Sequence, residues 1–382
     1  MKILFIQWNS IGQKDLEEAF LLEGHNLIRA AYSENELYHG DFSEIEKKLF
    51  SLVKNEKPDI VFTVDYFPFI TDFCDLHNLW YVSWVYDSPH DAMYSTAITN
   101  PRNIVYTLDK EVCMEFRRAG VTTVRYLPMA ANTDRLDKDT KDLPFIYDVS
   151  FIGSLYLEND LFSTISDSLT DYARGYLDAL VAAQLQIWGY NFIPESLGPV
   201  LEDIRGVYPW KPIDARDIRS DAYFYSQRVV NPWISAVERI DLMDAVAERY
   251  GVDCFTYSKD FILPNLRNHG FADYYEKAPK IFKQSKINLN ISYRGIKSGV
   301  PLRCFDIMGA GGFLLSNFQS GFLDLFIPGE DFIFFENKED LLQKVGYYLT
   351  HEKERQAIAK SGHDKVAASH TYRHRVKEML DF

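Results

Sequence analysis

Five short apolar runs, separated by helical segments, fill the first 130 residues and restrict the chain to few architectures. The runs are residues 3–7 (ILFIQ), 58–64 (PDIVFTV), 80–85 (WYVSWV), 104–108 (IVYTL) and 124–127 (VRYL). Helical patterns begin near Gln13 and cover residues 42–55, 69–76 and the segment through Cys113 and Phe116. Apolar strands alternating with helices open an α/β doubly wound domain. The turn after the first run, Trp8-Asn9-Ser10-Ile11-Gly12, lacks a GxGxxG, so a dinucleotide is not expected there. In such sheets ligands gather outside the carboxyl ends of strands. The run at 80–85 ends in Tyr86-Asp87-Ser88-Pro89-His90, which places Asp87 and His90 at such an end. A capping aspartate and a surface histidine compete with a chemical role for the pair.

Residues 133–144 are rich in Asp and Lys without apolar periodicity and read as a linker. The Asp137-Lys138-Asp139 within it reads as solvated charge and not as a metal motif. A second domain opens with the strand 147–152 and the turn Gly153-Ser154. From about 160 to 236 the pattern becomes helical, with Leu177, Leu180, Val181 and Leu185 at helical spacing. The expected division is 1–140, then 145–365 with a helical insertion at about 160–236, then a terminal helix over 366–382.

Residues 286–317, KINLNISYRGIKSGVPLRCFDIMGAGGFLLSN, parse as strand, loop, short helix, Gly-Gly turn and strand. Ile287, Leu289 and Ile291 alternate with Asn288, Asn290 and Ser292, the pattern of a strand with one polar face. The loop holds Arg294, Lys297 and Ser298. Arg303 and Asp306 then fall three residues apart on a helix entered through Pro301, and Gly311 and Gly312 end it. Cations beside a helix N-terminus suit a diphosphate, and a carboxylate one turn in suits ribose hydroxyls. A surface loop with solvated charges followed by an ordinary helix end is the competing reading.

The chain has 382 residues, enough for two domains, and 25% of them are charged. A net charge of −14 argues against nucleic acid as a partner. Cys74, Cys113, Cys254 and Cys304 are scattered, without a CxxC, so neither a zinc site nor a disulfide framework is indicated and a cytoplasmic setting is expected. No apolar run reaches the roughly 18 residues of a membrane span, which leaves room for peripheral membrane association. His363, His370 and His374 lie near the end without an accompanying acid motif, and no metal is expected there.

The stretch 286–317, together with PDIVFTVDYFPFITDFCD, WYVSWVYDSPH, IVYTLDKE and AGVTTVRYLPMAAN, resembles the CgeB-like group of bacterial GT-B glycosyltransferases. Many retaining members of that superfamily carry two glutamates seven residues apart and a glycine five residues after the second. Here Ser298 stands in the first place, Asp306 in the second, and Gly311 follows. The resemblance implies two Rossmann-like domains facing a cleft, with the helical excursion in the second and the last helix crossing back to the first. It implies a glycosyltransferase, of hexosyl or related type, that moves a sugar from a nucleotide sugar to a hydroxyl acceptor without a metal or other cofactor. Arg294, Lys297, Ser298, Arg303, Asp306 and Gly311 then form the donor site. Gly153 and Ser154 resemble the first turn of the nucleotide domain, though a plain turn accounts for them equally. Asp87 and His90 become the groups that take the acceptor's proton. Asn9, Ser10, Gly12, Tyr257 and His269 are further candidates for contacts. An epimerase or sugar phosphorylase of the same fold, or a non-catalytic nucleotide-sugar binder, remains an alternative. The sugar, base, acceptor, stereochemical course and oligomeric state are not readable from the sequence.

Overall fold

The computed structural model describes residues 1–158, 161–212 and 215–381. Asp160, where the helical excursion is expected to begin, and Phe382 therefore lie outside the described residues. The chain forms two compact units, one of Met1–Ala130 with Pro212–Arg219 and His370–Phe382, the other of Ala131–Lys211 with Ser220–Ser369.

In the first unit β1 (Lys2–Gln7), β2 (Asn26–Ala31), β3 (Ile60–Val64), β4 (Trp80–Val85), β5 (Asn103–Thr107) and β6 (Val124–Tyr126) make one sheet. The order is β2-β1-β3-β4-β5-β6 and every pairing is parallel. β1 pairs with β2 on one side and β3 on the other, so the winding reverses between β1 and β3. All five residues of β3 are buried, as a parallel sheet covered on both faces requires. The terminal helix Tyr372–Met379 packs on this unit. Tyr372 lies edge-on to Trp84 at 6.0 Å, and Arg375 donates from Nε to the Pro128 carbonyl at 2.8 Å. The cations of this helix are expected on a solvated or interdomain face, but Arg375 is 4% exposed and belongs to the unit's interior. Segment Pro212–Arg219 also joins this unit, through Arg216 to Asp72 at 2.6 Å and Arg219 to Asp91 at 2.7 Å.

The second unit holds β7 (Tyr147–Ile152), β8 (Val252–Phe255), β9 (Leu266–Asn268), β10 (Ser285–Asn290), β11 (Leu314–Asn317) and β12 (Ile333–Phe335). Their order is β12-β11-β10-β7-β8-β9, again all parallel. The chain winds outward from β7 through β9, returns to the middle at β10 and winds outward the other way. Its topological switch point therefore lies between β7 and β10. Helices Leu161–Ser166, Asp171–Gln184 and Leu201–Val207 surround a core of their own, which includes Phe162, Leu177, Ile193 and Ile234.

One reading of this unit gains a detail and another needs correction. β10 has no solvated polar face: Asn288 and Asn290 are 2% and 0% exposed. Both faces of the sheet are covered, and the amides are satisfied inside, Asn288 Nδ2 by the Phe282 carbonyl at 2.9 Å and Asn290 Nδ2 by Ser316 Oγ at 2.9 Å. The presumed linker contains a helix, Thr133–Thr140, capped by Asn132 and buried through Leu136. Asp137 and Asp139 stand on that helix, and Asp137 accepts from His363 Nε2 at 2.9 Å. Among the described residues no helix is long and apolar enough to cross a membrane.

Candidate active site

Of the residues expected at a donor site, Gly153, Ser154 and Arg303 come together at the carboxyl ends of β7 and β10, on either side of the second unit's switch point. β7 runs into Gly153, whose N–H donates to the Phe255 carbonyl at 3.0 Å. A Cβ at Gly153 would stand 3.2 Å from Arg303 Nη2 and 3.1 Å from the Phe151 ring, tight enough to press on both. Arg303 enters from the first turn of the helix Leu302–Gly309, which Pro301 caps. It is half-buried, reaches Asn290 Oδ1 at 3.3 Å and lies 5.6 Å from the centre of the Phe151 ring. Burial first, and then the nearby charge of Arg239, push its pKa down to about 10, which still leaves it cationic at neutral pH.

Arg239 is the residue that sequence reasoning missed. It projects from the helix Asn231–Tyr250, is 2% exposed, and donates from Nε and Nη2 to the Ile291 carbonyl at 3.1 and 2.6 Å. Its Nη1 donates to the Ser154 carbonyl, and its guanidinium lies 4.7 Å from the Tyr156 ring centre. One side chain thus ties the β7 turn to the end of β10 and sets a second positive charge behind Arg303. An arginine on a long amphipathic helix gives no sequence signal of this role. Asp306, one turn on from Arg303 and 4% exposed, accepts from the Tyr274 hydroxyl at 3.2 Å.

In the first unit the carboxyl ends of β3 and β4 bring Asp65, Asp87 and His90 together, with ligand-type atoms all within 4.8 Å of one another. Asp65 follows β3 in the left-handed region, φ 61°, and its carboxylate accepts the Tyr86 N–H at 2.9 Å. It is buried and Asp87 is exposed. Burial and then the charge of Asp87 raise the Asp65 pKa to about 7, against the lowering pull of His90. His90 Nε2 bonds the Tyr66 carbonyl at 3.0 Å, and donation there leaves Nδ1 as the proton-accepting nitrogen. The sequence places Asp65 only as the end of a strand; the left-handed residue that follows the strand is what turns its carboxylate toward Tyr86.

A glycosyl transferase-like family model matches residues 233–381. No curated protein matches the chain. Among solved structures, a glycosyltransferase from Rickettsia africae superposes with a TM-score of 0.54 at 11% identity, covering 100% of this chain and 97% of the other. The sucrose-phosphate synthase of Thermosynechococcus elongatus gives 0.55 at 11% identity, with 99% and 97% covered. The Anabaena protein HepE, solved with UDP and glucose, gives 0.52 at 10% identity, with 100% and 99% covered.

The chain has the GT-B fold.

Within this GT-B chain the other expected donor residues fall in different places. Arg294 is not free for a phosphate: it is 8% exposed, pairs with Glu238 at 2.5 Å and donates to the Ile187 carbonyl at 2.9 Å. Its charge is spent fastening the β10 loop to the helical excursion. Lys297 is exposed beside Tyr190, Phe318 and Gln319. Ser298 is buried, and its carbonyl accepts the Gly321 N–H at 3.1 Å, close enough that any side chain at Gly321 would collide with it. Gly311, at φ 70°, closes the far end of the helix that carries Arg303, next to Lys283 and away from the arginine pair.

His269 is engaged with Asp253 at 2.7 Å and stacks on Phe255 at 4.7 Å. Tyr257 is 63% exposed and stacks on Phe271 at 4.4 Å. In the first unit Asn9 is left-handed, φ 63°, with its N–H on Gln13 Oε1 at 3.1 Å, and Ser10 is buried. Gly12, at φ 75°, leaves room for Tyr372, whose hydroxyl a Cβ there would overlap.

Proposed function

We propose that this chain is a glycosyltransferase of hexosyl or related type, within the CgeB-like group, that moves a sugar from a nucleotide-sugar donor to a hydroxyl acceptor. The observation that carries the reading is the Arg239–Arg303 pair at the switch point, inside the part of the chain that matches the glycosyl transferase-like family. In transfer, the bond between the anomeric carbon and the diphosphate oxygen breaks, and the acceptor oxygen bonds to that carbon. Charge builds on the departing diphosphate, and fixed cations there lower the barrier. Arg303 meets that charge directly, without a metal ion, and Arg239 holds the β7 turn and adds positive potential behind it. Asp306 takes the ribose hydroxyls. The acceptor's proton passes to the Asp65–Asp87–His90 cluster.

HepE, one of the similar structures, was solved with UDP and glucose, which makes UDP-sugars the first donors to try. Four buried thiols fit a reducing cytoplasmic setting. The test is thermal stability against a panel of nucleotides and nucleotide sugars, with and without EDTA. A ligand at a hundred times its dissociation constant stabilises by about 2.7 kcal/mol. Stabilisation by one nucleotide family, unchanged by EDTA and lost in Arg303→Ala, is the expected result. No response to any nucleotide overturns the reading.

A further inference from the structure

A cavity of about 380 Å³ opens in the second unit at the amino ends of the strands, the opposite end from the arginine pair. Ser285, the first residue of β10, and Phe313, just before β11, line it, with Gly311 between the helix of Arg303 and that strand. Its volume lies in the range of small-molecule sites, roughly 300–1,000 Å³. The wall is apolar at Phe145, Phe313 and Ala359 and cationic at Lys283 and Arg355.

The charges are unevenly matched. His363 answers Asp137, Lys286 answers Asp148 at 2.6 Å, and Lys360 answers Asp364. Lys283 and Arg355 form no ion pair among the described residues. Arg355 is 2% exposed, donates once to the Tyr348 carbonyl, and lies 5.5 Å from the centre of the Phe145 ring. The Lys283 ammonium lies over Gly311, where a Cβ would stand 2.8 Å from Nζ. A buried guanidinium, with Glu352 and Asp148 near it but in no ion pair with it among the described residues, and a lysine likewise in no ion pair, beside two aromatic rings, make a place for an anionic head on a flat apolar body.

We propose that this cavity is a second ligand site, separate from the donor site, for a small amphipathic anion of the aryl phosphate kind. Lys283 and Arg355 hold the head, and Phe145 and Phe313 cover the body. The test is calorimetric titration of the full-length protein with phenyl phosphate, inorganic phosphate and phenol. Phenyl phosphate should bind more tightly than either fragment, its binding should survive saturating UDP, and Lys283→Gln should weaken it about tenfold, as loss of a charge-assisted contact does. Phe145→Ala, at a position 41% exposed, gives a second variant with the same expected direction. Absence of phenyl phosphate binding, binding untouched by both substitutions, equal binding of inorganic phosphate, or displacement by UDP would each overturn the proposal.

Discussion

Gly153 and Arg303 show how little space the proposed donor cluster leaves. A methyl group at 153 would press on both the guanidinium and the Phe151 ring. Gly153→Ala should therefore raise the donor KM about tenfold by displacing Arg303, with a smaller change in kcat, measured as nucleoside diphosphate release. Arg303→Ala and Asp306→Ala should both abolish turnover with melting temperatures near wild type. Asp65 sets a pH dependence. Its folded pKa, about 7, lies above the unfolded value of 3.8, so the native state holds the proton between them. Stability from this group is then fully present below about pH 4 and is lost as pH rises through about 7. Asp65→Asn should gain melting temperature relative to wild type at pH 8 and not at pH 4. Because the charge of Asp87 helps raise that pKa, Asp87→Asn should move the rising limb of the pH–kcat/KM profile downward. Arg303 and Asp306 stand out as candidates in the sequence because both sit on one short helix after a Pro. Arg239 was not, since its partners Ser154 and Ile291 lie 85 and 52 residues away and only the fold brings them together.

At the scale of elements, the loop after β10 is held by a buried ion pair and by a backbone contact. Arg294 and Glu238 are 8% and 4% exposed, and burial pushes the Glu238 carboxyl up against the pull of Arg294 and Arg239. Glu238→Ala leaves a buried guanidinium without its carboxylate and should cost about 3–5 kcal/mol in chemical denaturation. Replacing both residues by leucine should cost much less. The buried strands were readable from apolar runs because both sheets are parallel and covered on both faces; β2, of which only Ala30 is buried, and the three-residue β9 were not. The polar face read for β10 is there, and the same covering buries it: the alternating Asn residues tie neighbouring strands and turns together. Loop cations were misleading, since Arg294 looks like a phosphate ligand until Glu238, on a helix 56 residues earlier, is seen to claim it.

For the whole molecule, the terminal helix completes the first unit. Arg375, its pKa pushed down to about 10 mainly by burial, donates to the Pro128 and Met129 carbonyls, and Tyr106 donates to the Met379 carbonyl at 3.2 Å. Arg375→Ala should destabilise this unit by about 2–4 kcal/mol, seen as earlier hydrogen exchange at β5 and β6 than in wild type. Periodicity and composition marked two units and a final helix. They did not mark Pro212–Arg219, whose attachment depends on Arg216 and Arg219 finding Asp72 and Asp91 far back in the chain.

The backbone passes from one unit to the other at Ala130–Ala131, Lys211–Pro212, Arg219–Ser220 and Ser369–His370. A gene fragment ending at codon 130 would thus encode a sheet lacking both its closing helix and its clasp. Recombination that exchanges the first unit between such proteins must transplant three separate stretches of coding sequence together. Chimeras spliced at a single junction would inherit mismatched partners for Arg375 and Arg219, because the first unit draws on both ends of the chain and its middle at once.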